Sequence, residues 1–187
     1  MMIRTAIAAA AVSMIAACGG MSSPMSSMKA PYSQASLPAS VQVPAGNRVA
    51  WETVGVGDIT YQCSAKKDMA GQYEWVFVGP DAKLNDRGGN QVGKYYGPPA
   101  TWEAMDGSKL TATQVAVAPN SMMAGSIPLQ LVKANPAMGT GMMQGVTYIQ
   151  RVDTRAGVAP ATPCAAGNLN AKQVVKYQAD YIFYKAM

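Results

Sequence analysis

The strongest constraint on the fold lies near the C-terminus. There Val175, Tyr177, Ala179, Tyr181 and Phe183 alternate with Lys176, Gln178 and Asp180. A period of two puts the apolar set on one face and the polar set on the other, which is the signature of a half-buried β-strand. Shorter β-branched and aromatic runs precede it: Arg48 to Val56, Ile59 to Cys63, Tyr73 to Val78, Gln91 to Tyr96, Lys109 to Val117, Ile127 to Lys133 and Val146 to Val152. Turn chemistry separates them. Gly57-Asp58 punctuates the first two runs, Asp86-Arg87-Gly88-Gly89-Asn90 predicts a hairpin, and Asp106-Gly107 predicts a second turn. No window of 11 or more residues beyond the N-terminal segment carries helical periodicity. The pattern predicts an all-β domain, an antiparallel β-sandwich or barrel of about ten short strands.

The N-terminus has a different character. Arg4 is followed by an uncharged, mostly apolar run from Thr5 to Ala17, too short to span a membrane as a helix and suited to an export signal. It ends in Ile15-Ala16-Ala17-Cys18-Gly19, which resembles a bacterial lipobox: a branched apolar residue, two small residues, then the cysteine whose thiolate takes the diacylglyceryl group. The expected organisation is a signal peptide over residues 1–17, a flexible tether over 18–40 rich in Ser, Pro, Gly and Met, and one β domain over 41–187. Several acyl chains on Cys18 make a stable anchor, because each buried CH₂ contributes about 0.8 kcal/mol. Gly19, in place of the Asp typical of inner-membrane retention, favours the outer membrane facing the periplasm.

Export also governs the cysteines. With Cys18 acylated, Cys63 and Cys164 remain, and two thiols in an oxidising compartment predict one structural disulfide. No C-x-x-C spacing exists to lower a thiol pKa for redox work.

Composition removes several chemistries. The 187 residues include no histidine, so Ser-His-Asp and Cys-His nucleophiles and His-ligated metal sites are excluded. The 15 basic and 10 acidic residues are dispersed, with Lys66-Lys67 the one adjacent basic pair, and this gives no nucleic-acid stripe. Gly88 to Lys94 matches a phosphate loop on paper, but Tyr95 stands where Ser or Thr would hold magnesium and no helix follows. Gly55-Val56-Gly57 lacks the third glycine of a dinucleotide fingerprint. Methionines at 21, 25, 28, 122, 123, 138, 142 and 143 suit Cu(I), yet without His or a free Cys no copper site and no cofactor is expected.

The candidate ligand contacts are the aromatics Trp51, Tyr95, Tyr96 and Trp102 and the carboxylates Glu103 and Asp106. A carboxylate beside an aromatic ring could serve a glycan, with the ring on the sugar face and the acid at the glycosidic bond. The simpler reading makes Trp102 core, Asp106 a turn residue and Glu103 solvent-facing.

A series of segments carries a family likeness: Val43-Pro44-Ala45-Gly46, Trp75-Val76-Phe77-Val78-Gly79-Pro80, Gly93-Lys94-Tyr95-Tyr96, Thr101-Trp102-Glu103, Ile149-Gln150-Arg151-Val152 and Tyr177 to Tyr184. In this order they resemble a bacterial and fungal family of exported proteins classed as a domain of unknown function, over about Ser40 to Met187. The resemblance implies no activity. Ile59-Thr60-Tyr61-Gln62-Cys63 is in addition similar to the opening of lipoprotein inhibitors of C-type lysozyme, which implies Ser108-Lys109 as the pair offered to lysozyme's acidic cleft. Together these features predict a non-catalytic envelope binding or structural module. Its expected partners are the membrane, through Cys18, and a glycan or protein ligand. An envelope glycan hydrolase using Glu103 and Asp106, and a lysozyme inhibitor, are the alternatives.

Overall fold

The computed structural model describes residues 32–187. Eight antiparallel strands follow one another as a meander and close into a barrel: β1 (Asn47–Ala65), β2 (Tyr73–Asn85), β3 (Gln91–Tyr96), β4 (Thr101–Ala104), β5 (Lys109–Ala118), β6 (Leu129–Ala134), β7 (Val146–Ala156) and β8 (Lys172–Ala186). Closure is made by β1 against β8, paired from Asn47 opposite Ala186 to Gln62 opposite Lys172. A closed sheet leaves no strand edge open to further pairing.

The strands are therefore fewer and longer than the sequence suggests. Gly57-Asp58 reads as punctuation, yet both residues lie inside β1 and pair with Ala82 and Asp81 on β2. The reason is a close approach of two backbones rather than a turn. A Cβ at Gly57 would sit 2.2 Å from the carbonyl oxygen of Asp81 and 2.5 Å from the Cα of Ala82. The run from Tyr73 likewise continues through Gly79-Pro80 to Asn85. The hairpin at Asp86 to Asn90 and the turn at Asp106-Gly107 join β2 to β3 and β4 to β5 as expected.

Two apolar cores form, one inside the barrel and one on its outer wall. The interior core includes Ile59, Leu84, Tyr95, Trp102, Leu110, Ile149, Tyr177, Tyr181 and Phe183. The alternation of β8 delivers Tyr177, Ala179, Tyr181 and Phe183 to this core. Its other face is covered towards the C-terminal end, where Ile182 and Tyr184 join Val41, Val43, Leu131 and Val152 in the outer core, while Val174 and Lys176 are exposed. Residues 32–40, expected to continue the tether, instead lie against that wall. Tyr32 and Leu37 pack on the outer core, and a short 3-10 turn at Ala39–Val41 leads into it. Buried Gln150 fastens the segment. Its Oε1 accepts from the Tyr32 hydroxyl (3.0 Å) and the Tyr184 hydroxyl (2.8 Å), while its Nε2 donates to Gln34 Oε1 (2.9 Å) and the Val41 carbonyl (2.7 Å). Every hydrogen-bonding site of the amide is used, as burial demands. Residues 32–40 thus belong to the same compact unit as the barrel. The signal peptide, Cys18 and the rest of the tether lie outside the described residues.

The two barrel ends differ. At the end where β1 begins and β8 finishes, the 135–145 connection sends Met143 into the interior core, fully buried, with its amide donating to Ser108 Oγ at 3.1 Å. At the opposite end the connection between β7 and β8 folds back on β1. Cys63 bonds to Cys164 there, with 5.4 Å between Cα atoms.

Candidate functional site

The end held by the disulfide opens into a cavity of about 350 Å³ between the strands. Its inner wall is aromatic because of strand register. Tyr95 on β3 and Trp102 on β4 are direct cross-strand partners, and their rings stack 4.4 Å apart at an interplanar angle of 19°. Tyr181 packs behind them in the interior core, its ring 5.0 Å from Tyr95 and 5.9 Å from Trp102. Nearer the opening, Tyr61 donates its hydroxyl to the Gly157 carbonyl at 2.8 Å, and Phe77, 48% exposed, meets the Tyr61 ring edge-on.

Three polar side chains face the same cavity. Gln130 Nε2 donates to Gln114 Oε1 at 2.7 Å across β6 and β5. Arg151 on β7 donates from Nε (3.1 Å) and Nη2 (2.9 Å) to the Pro128 carbonyl. Among the described residues no carboxylate lies within ion-pair distance of Arg151. Trp102 Nε1 is buried and has no hydrogen-bond partner, an uncommon state for an indole N–H inside a protein.

Electrostatics keep the phenols neutral. Burial pushes Tyr95 up to about 12 and Tyr181 well above the ordinary tyrosine value, and it raises Tyr61 and Tyr177 as well. In all four the Arg151 charge acts in the opposite, lowering direction. The cavity is thus a low-dielectric aromatic space with a cation at its wall.

The predicted contact residues divide between the two faces of the sheet. Tyr95 and Trp102 point in and are brought together, but both are core, 5% and 3% exposed. Trp51 is also interior, 4.9 Å from the Phe183 ring and away from the cavity lining. Tyr96 and Glu103, one position along their strands, emerge on the outer face. There the Tyr96 hydroxyl donates to Glu103 Oε2 at 2.6 Å and Lys94 pairs with Oε1 at 3.3 Å. The Tyr96 hydrogen bond first, and then Lys94, hold the Glu103 carboxyl below its ordinary value. Asp106 sits in the turn after β4. Its Oδ1 accepts from the amide (2.9 Å) and hydroxyl (2.6 Å) of Ser108, and its Oδ2 accepts from the Met142 amide at 2.7 Å, so its pKa is lowered too.

This arrangement bears on the alternatives. A glycosidase acid must hold its proton near neutral pH, which needs a raised pKa. Glu103 and Asp106 are shifted the other way and spend their oxygens on structure. The ring meant to carry the sugar, Trp102, is on the opposite face of the sheet from Glu103. Ser108, the residue a lysozyme inhibitor would present, is completely buried.

Arg151, Gln114, Gln130 and Tyr61 were not singled out as contacts from sequence. The available signal was Ile149-Gln150-Arg151-Val152, where period two places an arginine on the same side as a core isoleucine.

No curated protein matches the chain, and no solved structure does. A family match spans residues 44–185, from just before β1 to one residue short of the end of β8. The chain belongs to the family described as Protein of unknown function (DUF3455).

Proposed function

We propose that this protein is an outer-membrane lipoprotein, anchored through acylated Cys18, whose barrel is a non-catalytic binding module for a small, largely apolar molecule. The observation that carries the binding part is the aromatic cavity of about 350 Å³ inside one barrel end. Its size is that of a typical small-molecule site, and its few polar groups among aromatic walls match what such sites use for orientation. The walls belong to paired strands, which hold a site more rigidly than loops do. Hydrogen bonds within the protein hold the Glu103 and Asp106 carboxyls below their ordinary pKa values, which supports binding rather than acid catalysis. The anchor rests on the lipobox-like sequence at Ile15 to Gly19.

N-Phenyl-1-naphthylamine, a neutral aromatic probe that brightens in apolar surroundings, tests the binding part. We expect saturable one-to-one binding to the wild-type protein. Ala112 lines the cavity, and Ala112→Phe fills it, weakening the probe by about tenfold or more if steric loss exceeds about 1.4 kcal/mol. No binding, or equal binding by the filled variant, overturns the proposal. For the anchor, palmitate labelling of the full-length chain in a bacterial host should vanish in Cys18→Ala; labelling that persists places the acyl group elsewhere.

A further inference from the structure

We propose that the cavity is selective for an anion, specifically an aromatic carboxylate whose acid group pairs with Arg151 while its ring lies against the Tyr95 and Trp102 wall. The inference rests on the binding reading above and adds the chemical class of the ligand.

Guanidinium geometry is the first support. Arg presents its donors as two forks. The Pro128 carbonyl occupies the side fork, formed by Nε–H and one Nη2–H. The end fork, made of Nη1–H and the second Nη2–H, has no protein acceptor among the described residues. An end fork matches a carboxylate with two parallel hydrogen bonds, the arrangement in which Arg is most selective. The Pro128 contact fixes the plane of the group, so little freedom remains to be lost on binding.

Missing countercharge is the second. Several cations on this barrel are matched, Arg87 with Glu52 and Asp180, Lys94 with Glu103 and Lys176 with Asp58, while others in no ion pair, such as Lys83 and Lys133, stand exposed on the surface. Arg151 differs from both groups: it is the charged side chain that lines the aromatic cavity. A guanidinium facing a low-dielectric space favours an anion there more than the same group in water would. At Tyr61 and Tyr95, the tyrosines of the lining, this charge opposes the upward shift that burial causes.

The test compares 2-naphthoate with 2-naphthamide by calorimetric titration of the wild-type protein. The two share one ring system and differ in the charge of the head group. We expect the carboxylate to bind about tenfold or more tightly, the scale of a charge-assisted hydrogen-bonded pair, with the advantage shrinking as salt rises. In Arg151→Gln, checked for an unchanged fold by circular dichroism, the preference should disappear while the amide binds as before. Equal affinities for the two compounds in wild type, or no binding of either, overturns the anion proposal, even where the neutral naphthylamine still binds and the wider reading stands. A preference that survives Arg151→Gln overturns the role of Arg151. The comparison in wild type needs no variant, so it decides even where Arg151→Gln misfolds.

Discussion

Replacing Cys63 and Cys164 together by serine should lower unfolding stability by about 4 kcal/mol. The bridge joins positions 101 residues apart, and a cross-link over a loop of that length removes roughly 4–5 kcal/mol of chain entropy from the unfolded state. The folded state has reason to stay as it is. The β7–β8 connection is held to β1 and β2 by other bonds: the Cys63 amide to the Ala171 carbonyl (2.9 Å), the Asn170 amide to the Cys63 carbonyl (2.8 Å) and, from β2, Trp75 Nε1 to the Thr162 carbonyl (2.7 Å). The loss should therefore come from freeing the unfolded chain, and freeing it should also expose more surface to denaturant. We expect urea unfolding of the double variant to show a lower midpoint together with a steeper dependence on denaturant. An unmoved midpoint would mean that the bridge is structurally idle. A lower midpoint with an unchanged slope would place the effect in the folded barrel instead.

The features legible in the sequence are those decided by local chemistry or by counting. The hairpin after β2 follows from Asp86, whose Oδ1 accepts from the amides of Gly88 (2.8 Å) and Asn90 (2.9 Å), and from Gly89 at φ +87°. Both requirements are visible in five consecutive letters. The disulfide was legible because one pairing remains once Cys18 is assigned elsewhere. The inward row of β8 was legible because alternation has no other cheap explanation. What could not be read depends on neighbours distant in the chain. Gly57 is extended because β2 crosses it closely, a fact held by Asp81 and Ala82 rather than by the residues beside it. Tyr32 and Leu37 sit in a stretch whose Ser and Pro content suggests a spacer; the wall that receives them is built from β5, β6, β7 and β8.

The candidate site divides in the same way. Tyr95 and Trp102 were visible as aromatics, but that they stack inside the barrel follows from strand register, and that Tyr96 and Glu103 face outward follows from the same register one residue on. A single-residue shift in the phase of alternation exchanges the two sets. Arg151 is one of three charged residues on β7; its meaning appears only when Pro128, Tyr61 and Trp102 are placed around it.

The packing behind the Tyr95 and Trp102 wall gives the second large effect. Tyr181 is 1% exposed, touches both Tyr95 and Trp102, and its hydroxyl lies 3.2 Å from that of Tyr177. Tyr181→Ala should cost about 3–5 kcal/mol, the range for truncating a large buried aromatic side chain. Its ring fits only because β1 carries Gly55 beneath it: a Cβ there would fall 2.5 Å from Tyr181 Cε2. Gly55→Ala should therefore cost about 1–3 kcal/mol by overpacking against a ring that its neighbours prevent from moving. The two costs are not independent. Once Tyr181 is alanine, the methyl group at position 55 enters space the ring has vacated, and its penalty should largely vanish. Urea unfolding of both single variants and the double variant would then give a coupling energy of about 1–3 kcal/mol. Additive losses would show that Gly55 serves the backbone path of β1 rather than the seat of the Tyr181 ring.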